Sequence, residues 1–252
     1  MSTLLRRYGD FALALACIVA FTGWPELDLR LVAPFYRQGL GFPANEVWWI
    51  KAIYVTVART WLLALALLGL LLASWLPAMR TPLGRRRKAL LYLLTALVLG
   101  PGLIVNTVLK DHWGRPRPVH LAQFGGHSSF TPALAYSTQC PRNCSFPSGH
   151  AGAAFFPMAA YWLTRQRRWL VLGIIGGLVV GYTRMAMGAH FLSDVIFSGL
   201  VVHFSCRWLA ACFGLHHALP GPEPPQFADA ARGADATGGA HTDTVAAPGS
   251  PP

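Results

Sequence analysis

His190 and Asp194 lie four residues apart, so on one helix they share a face, and the carboxylate can accept a hydrogen bond from one imidazole nitrogen. That fixes the tautomer and leaves the other nitrogen a better nucleophile. Both stand in an apolar stretch, where ionisable side chains are costly and mark function. Arg184 precedes His190 by six residues, about 240° round a continuous helix and away from that face. Gly188, between them, offers a break that lets both look into one pocket.

Two further polar clusters interrupt apolar runs. Ser145-Phe-Pro-Ser-Gly-His150 reads as a helix start with Ser148 as N-cap, and the backbone N–H groups that follow would point outward unsatisfied, which makes an anion site. His150 would project from the first turn toward that anion. In Lys110-Asp-His-Trp-Gly-Arg-Pro-Arg-Pro118, Gly114, Pro116 and Pro118 forbid a helix, so Lys110, Arg115 and Arg117 are expected on a turn. Singly, each cluster has a plain reading. Cations at a membrane interface snorkel to headgroups, and a histidine at a helix start is a hydrogen-bonded surface residue. Jointly, cations and a helix start call for an anion, the His–Asp pair calls for an electrophile, and a phosphoryl group is both.

The elements that must position these residues follow from composition. Of 252 residues 54% are hydrophobic and 12% charged, against about 25% charged in soluble domains, which argues against both disorder and an ordinary soluble fold. The net charge of +11 is not a nucleic-acid footprint, because the cations fall beside apolar runs. Those runs, 8–24, 55–79, 88–109, 149–164, 168–187 and 190–213, lie near the roughly 20 residues that cross a bilayer. The expectation is an all-α, six-span transmembrane helical bundle. No small-x-small cleavage site follows Trp24, so 8–24 is read as a retained span and not a signal peptide.

Arg6, Arg7, Arg80, Arg85, Arg86, Arg87, Lys88, Arg165, Arg167 and Arg168 fall on one side if the spans alternate, and that side is expected to be cytoplasmic. Both termini are then inside, and the three polar clusters lie at the outer ends of their spans. The domain expected in the membrane is 1–214. Residues 215–252, rich in Pro, Gly and Ala, are expected to be a disordered cytoplasmic tail. Cys17, Cys206 and Cys212 fall within spans. Cys140 and Cys144 share an outer loop, as a disulfide if that loop is periplasmic or as two thiols.

At these residues the chain resembles the phosphatidic acid phosphatase type 2 superfamily, whose pattern is Lys-x6-Arg-Pro, Pro-Ser-Gly-His and Ser-Arg-x5-His-x3-Asp. Here it reads Lys110 to Arg117-Pro118, Pro147 to His150, and Arg184 to His190 to Asp194, with Thr183 in place of the serine. The resemblance implies that His190 attacks phosphorus to form a phosphohistidine, that Asp194 orients it, and that His150 protonates the leaving oxygen and later activates water. It also implies that Lys110, Arg117, Ser148, Gly149 and Arg184 hold the phosphoryl oxygens, with no metal or other cofactor. Arg115 lies outside the pattern and is left as a headgroup contact.

A phosphate at the outer membrane boundary is most simply carried by a phosphorylated membrane lipid. Phe124-Gly-Gly126 and Cys140-Pro-Arg-Asn-Cys144 look like bacterial relatives acting on lipid A phosphates. Undecaprenyl diphosphate, phosphatidylglycerol phosphate and phosphatidic acid stay open. The expected protein is a lipid phosphatase of the bacterial inner membrane with a periplasmic site. The alternatives are a lipid-to-lipid phosphotransferase, a metal site built from His150, His190 and Asp194, and a transporter that grips phosphate without reacting. The topology is tested with an impermeant thiol reagent: His127→Cys should be labelled from outside and Arg86→Cys should not.

Overall fold

The structure, a computed structural model, describes residues 3–215 and the side chains from Tyr8 onward. The expected tail lies outside the described residues apart from Leu215, which is buried. All regular structure among the described residues is helical. In chain order the α-helices are α1 (Thr3–Gly23), α2 (Glu26–Val32), α3 (Trp48–Ala58), α4 (Trp61–Ala73), α5 (Arg80–Gly84), α6 (Arg87–Leu97), α7 (Lys110–His112), α8 (Gly149–Phe155), α9 (Met158–Thr164), α10 (Arg167–Ala186) and α11 (Leu192–Cys212).

Four helical runs are long and apolar enough to cross a membrane: Trp48–Ala73, Arg87–His112, Arg167–Ala186 and Leu192–Cys212. A fifth forms if Tyr8–Gly23 and Glu26–Phe35, bent by 85° between them, count as one span. The α4 half of Trp48–Ala73 is almost wholly Leu and Ala, strong helix formers without a polar stripe, and it exposes Trp61, Leu62, Leu65, Leu70 and Leu72. Such a face suits lipid and not water.

The expected six spans differ from these four or five in three places, the first being 8–24, which passes only as part of the bent pair. The 55–79 run starts earlier, at Trp48, and stops at Ala73. The 149–164 run is not one helix but two helices of seven residues each, α8 and α9. Pro157 sits at the break, where it has no N–H to donate to the preceding turn. Both short helices pack against α10 and α11.

Small residues allow that packing. Gly173, Gly177 and Gly181 recur once per turn along α10, and a Cβ at Gly177 would come within 2.3 Å of the Phe155 ring of α8. The ring also presses on Gly199 of α11, where an added Cβ would be 2.9 Å away. Phe155 is thus a wedge seated between two helices that have no side chain at that level.

The run Arg87–His112 changes pitch on its way to the site. From Val98 to Leu109 it is π-helical, with Pro101 inside. Proline cannot donate to the turn before it, and widened turns of this kind mark functional segments. Asn106 Nδ2 donates to the Pro101 carbonyl at 2.9 Å, across the same five-residue spacing.

Residues 113–148 fold back over the helix ends as turns, tied by the Cys140–Cys144 disulfide and by Trp113 Nε1 donating to Ala133 O at 2.8 Å. Tyr36, Phe42 and Phe124 make a triangle of rings with centroids 5.4 to 5.7 Å apart. It clamps the segment after α2 to this connection. Gly188 turns the chain from α10 toward α11 at a φ of +66°, and a Cβ there would lie 2.4 Å from the Phe42 ring, so the turn needs glycine on both counts.

The packing yields a paired test. Gly177→Ala should lower stability by about 1–3 kcal/mol through overpacking. Gly69→Ala, on the open face of α4 with nothing within 4 Å, should not. Thermal unfolding of both variants in the same detergent measures the difference.

Candidate active site

The three polar clusters converge around the junction of α10 and α11, and their organiser is a residue assigned to the surface. Arg115 is not a headgroup contact. It is fully buried, and all three of its guanidinium nitrogens are used. Nε donates to Thr131 O at 2.8 Å, Nη2 pairs with Asp28 Oδ2 at 2.8 Å, and Nη1 pairs with Asp194 Oδ1 at 2.5 Å and donates to Ser193 Oγ at 2.9 Å. Its plane lies 4.2 Å from the Phe191 ring centroid. Headgroup contact requires exposure, and Arg115 sits where two buried carboxylates need a partner.

Asp194 is correspondingly committed. Beyond Arg115, its Oδ2 accepts Ser145 Oγ at 2.5 Å and the Phe191 N–H at 2.8 Å, the second of these capping the start of α11. The expected hydrogen bond from His190 to this carboxylate is absent, since Nδ1 lies 3.6 Å from Oδ2. That nitrogen instead meets the Ser145 carbonyl at 2.7 Å. A carbonyl oxygen only accepts, so Nδ1 carries the proton and neutral His190 presents a lone pair at Nε2. The tautomer is therefore set by backbone, and the carboxylate acts as a charge one step further away.

His190 is fully buried. Burial, reinforced by the charges of Lys110 and Arg184 and opposed by Asp194, lowers its pKa from 6.5 to about 3. The backbone acceptor at Nδ1 and this burial both favour the neutral ring. Nε2 of His190, Nε2 of His150 and Nε of Arg184 are buried without a hydrogen-bond partner among the described residues, although buried polar atoms are nearly always satisfied.

The remaining candidates surround these atoms. Lys110 is not on a turn. It begins α7, the helical end of the run Arg87–His112, and is 7% exposed, because the helix persists to His112 and breaks only at Gly114, where φ is +70°. Arg117 follows that break, and its Nη2 reaches both Asn143 O and Asn143 Oδ1 at 2.8 Å. Arg184, in the last turn of α10, contacts Met187 Sδ at 3.0 Å. Lys110, Arg117 and Arg184 make no ion pair with a carboxylate among the described residues. Three positive charges thus stand beside two histidines without a directly paired carboxylate among the described residues, a field that attracts an anion.

Ser148 precedes α8 and accepts from Ala151 N at 3.5 Å, a loose cap. Its own N–H donates to Asp194 O at 3.1 Å, and its carbonyl accepts Ser198 Oγ at 2.8 Å, so the α8 start is tied to α11. Gly149 is buried, and His150 follows in the first turn. A cavity of about 610 Å³ opens beside Gly149 and His150 and runs along Asn106, Val57, Trp61 and Leu97. The cations and His190 lie outside its mostly apolar lining. No group of three His, Cys, Asp or Glu side chains is arranged to hold a metal among the described residues, so a centre built from His150, His190 and Asp194 lacks its geometry.

Two contributors escaped the sequence reading: Asp28, which partners Arg115, and Tyr54, whose ring lies against both His150 and Arg184. For Asp28 a signal existed, a carboxylate flanked by Leu27 and Leu29 just after the helix-breaking Pro25.

The model of the PAP2 superfamily matches residues 89–217, just over half of the 252-residue chain. The chain belongs to the PAP2 superfamily. This PAP2 member is 34% identical over 213 residues to the lipid A 4'-phosphatase of Francisella tularensis subsp. novicida, covering 77% of this chain and 92% of that one. It is 37% identical over 118 residues to the lipid A 4'-phosphatase of Rhizobium leguminosarum, 46% of this chain and 51% of that one. With phosphatidylglycerophosphatase B of Bacillus subtilis it shares 34% over 125 residues, 44% of this chain and 54% of that one. No solved structure matches it. As a PAP2 enzyme it is a phosphatase that hydrolyses phosphoester bonds. Asp28 and Tyr54 both lie outside the matched residues 89–217.

The ionic set gives a stability test. Arg115→Met leaves two buried carboxylates without their counter-charge and should cost about 3–5 kcal/mol. Arg142→Met, on the exposed face of the disulfide loop, should stay within about 0.5 kcal/mol. Unfolding midpoints of the two purified variants read this directly.

Proposed function

We propose that the protein removes a phosphate from lipid A at the outer face of a bacterial inner membrane, through a phosphohistidine on His190. The observation that carries the reading is the set of buried, unpartnered nitrogens, Nε2 of His190, Nε2 of His150 and Nε of Arg184, inside a site with three cations that have no directly paired carboxylate among the described residues. Protein atoms leave these nitrogens unsatisfied, and a phosphoryl group supplies both acceptor oxygens and an electrophile.

In the first step the His190 Nε2 lone pair attacks phosphorus while the bond to the lipid oxygen breaks. The leaving oxygen keeps the electron pair and takes a proton from His150. Lys110, Arg117 and Arg184, with the backbone at Ser148 and Gly149, hold the phosphoryl oxygens as their charge redistributes. Phosphorylation makes the His190 ring cationic, and the Asp194 carboxylate 3.6 Å from Nδ1 stabilises that charge. In the second step His150 takes a proton from water, which attacks phosphorus and breaks the P–N bond, so both histidines return to their starting forms.

Lipid A as substrate rests on the lipid A 4'-phosphatase of Francisella tularensis subsp. novicida, the relative aligned over 77% of this chain. It accords with the apolar cavity of about 610 Å³ beside His150, within the range of ligand pockets and open to an acyl chain. Six crossings follow if the bent α1–α2 pair and the α8–α9 pair each count as one, with both termini cytoplasmic. The Cys140–Cys144 disulfide suits a periplasmic loop.

The division of labour is tested by rapid quench with an activated phosphoester, followed by mass analysis of the trapped peptide. His190→Ala should abolish both turnover and the covalent adduct. His150→Ala should still form the adduct from a leaving group that needs no proton, with turnover down by roughly 10²–10⁴. Label on His150, or label persisting in His190→Ala, would reverse the assignment. Release of inorganic phosphate from lipid A, against transfer of the label to a second lipid, separates hydrolysis from phosphotransfer.

A further inference from the structure

Tyr54 of α3 touches two of the proposed reacting groups at once. Its ring is stacked on His150, with centroids 4.6 Å apart and planes inclined by 20°. The Arg184 guanidinium carbon lies 4.7 Å from the same ring centroid. The helix carrying it packs against α8 and α10, which carry those two side chains, so the arrangement is built into the bundle.

The two histidines are held in different ways. His190 is fixed at Nδ1 by the Ser145 carbonyl. His150 makes no hydrogen bond among the described residues, and its Nε2 is buried without a partner. Nothing polar sets the plane of the His150 ring, and the stacked phenol does.

From these contacts we infer that Tyr54 is a positioning residue for the acid–base histidine, acting through the face of its ring and not through its hydroxyl. The inference rests on the proposed role of His150 as proton donor to the leaving oxygen. A proton donor must aim one nitrogen at that oxygen and must also carry a proton before the reaction. The stack provides the aim. It also supports the charged form, because the face of an aromatic ring attracts a cation. That support matters because burial, and then the charges of Arg184 of α10, Lys110 of α7 and Arg117 beyond it, all oppose a further proton on His150. The Tyr54 hydroxyl makes no hydrogen bond among the described residues, so the ring itself is what the site uses.

The sign of the pH effect follows. An acid works only while protonated, so the alkaline limb of the rate profile reports its loss of the proton. Removing the aromatic face destabilises the imidazolium and should move that limb to lower pH, by about one unit for a partly buried contact.

The experiment compares Tyr54→Leu and Tyr54→Met with Tyr54→Phe in the full chain, in detergent, using lipid A and an activated aryl phosphate. Phosphoenzyme formation is followed in a single turnover across pH, and melting of each variant is recorded. The expected result is a loss of about tenfold or more with lipid A for both aliphatic variants, with the alkaline limb shifted down. Adduct formation from the aryl phosphate should be unchanged, and Tyr54→Phe should match the parent throughout. Equal losses on the two substrates would overturn the inference, since they would place the effect in phosphate binding through Arg184. It would equally be overturned by an unmoved alkaline limb in both aliphatic variants, or by Tyr54→Phe behaving like Tyr54→Leu. An unaltered protein that never forms a phosphohistidine would overturn the proposed function and this inference together, whereas a normal adduct with an indifferent Tyr54 would overturn this one alone.

Discussion

The buried guanidinium of Arg115 is the constraint around which this site is organised. A guanidinium removed from water is stable only with its N–H groups matched and its charge opposed, and the fold supplies Asp28, Asp194, Ser193 and the Thr131 carbonyl for that purpose. These partners come from three parts of the chain. Satisfying one side chain therefore fixes the start of α11, the segment after α1 and the connection over the helix ends relative to one another. Removing a single partner leaves a bare charge in a dry interior, and that penalty exceeds what the assembled set contributes to stability.

The arrangement also sorts the charges of the site into two kinds. Arg115 is enclosed by carboxylates and is unavailable to a ligand. Lys110, Arg117 and Arg184 have no such partners and present their charge to whatever enters. Asp194 belongs to the first group, so the negative charge nearest His190 is partly shielded by Arg115. On the proposed mechanism, a fully exposed carboxylate beside His190 would repel a phosphate; a shielded one opposes it less and still lies close enough to stabilise a ring that becomes cationic.

The chemistry was legible in the sequence wherever it depended on residue type and spacing. The structure brings His190, Asp194, His150, Lys110, Arg117 and Arg184 to one place, and the apolar runs around them pointed to an all-helical chain with helices long and apolar enough to cross a membrane. Relations that have no local signature were not legible. The acceptor that fixes His190 is the backbone carbonyl of Ser145, which every residue possesses. Asp28 and Tyr54 lie far upstream of the motifs in segments of ordinary composition, and only the packing of α2 and α3 brings them to the site. Arg115 shows the limit in another way, because its charge was evident and its burial was not. The break at Pro157 was readable as a proline inside an apolar run, yet the length of that run suggested a single span.

Asp28 lies 87 residues before Arg115 and 165 before Ser193 in the chain. A polypeptide is made from its N-terminus, so this carboxylate emerges well before either group that stabilises it. Until Arg115 follows, Asp28 has no counter-charge, and its second tie, to Ser193, waits for the start of α11. Maturation of the site and closure of the bundle are then a single event.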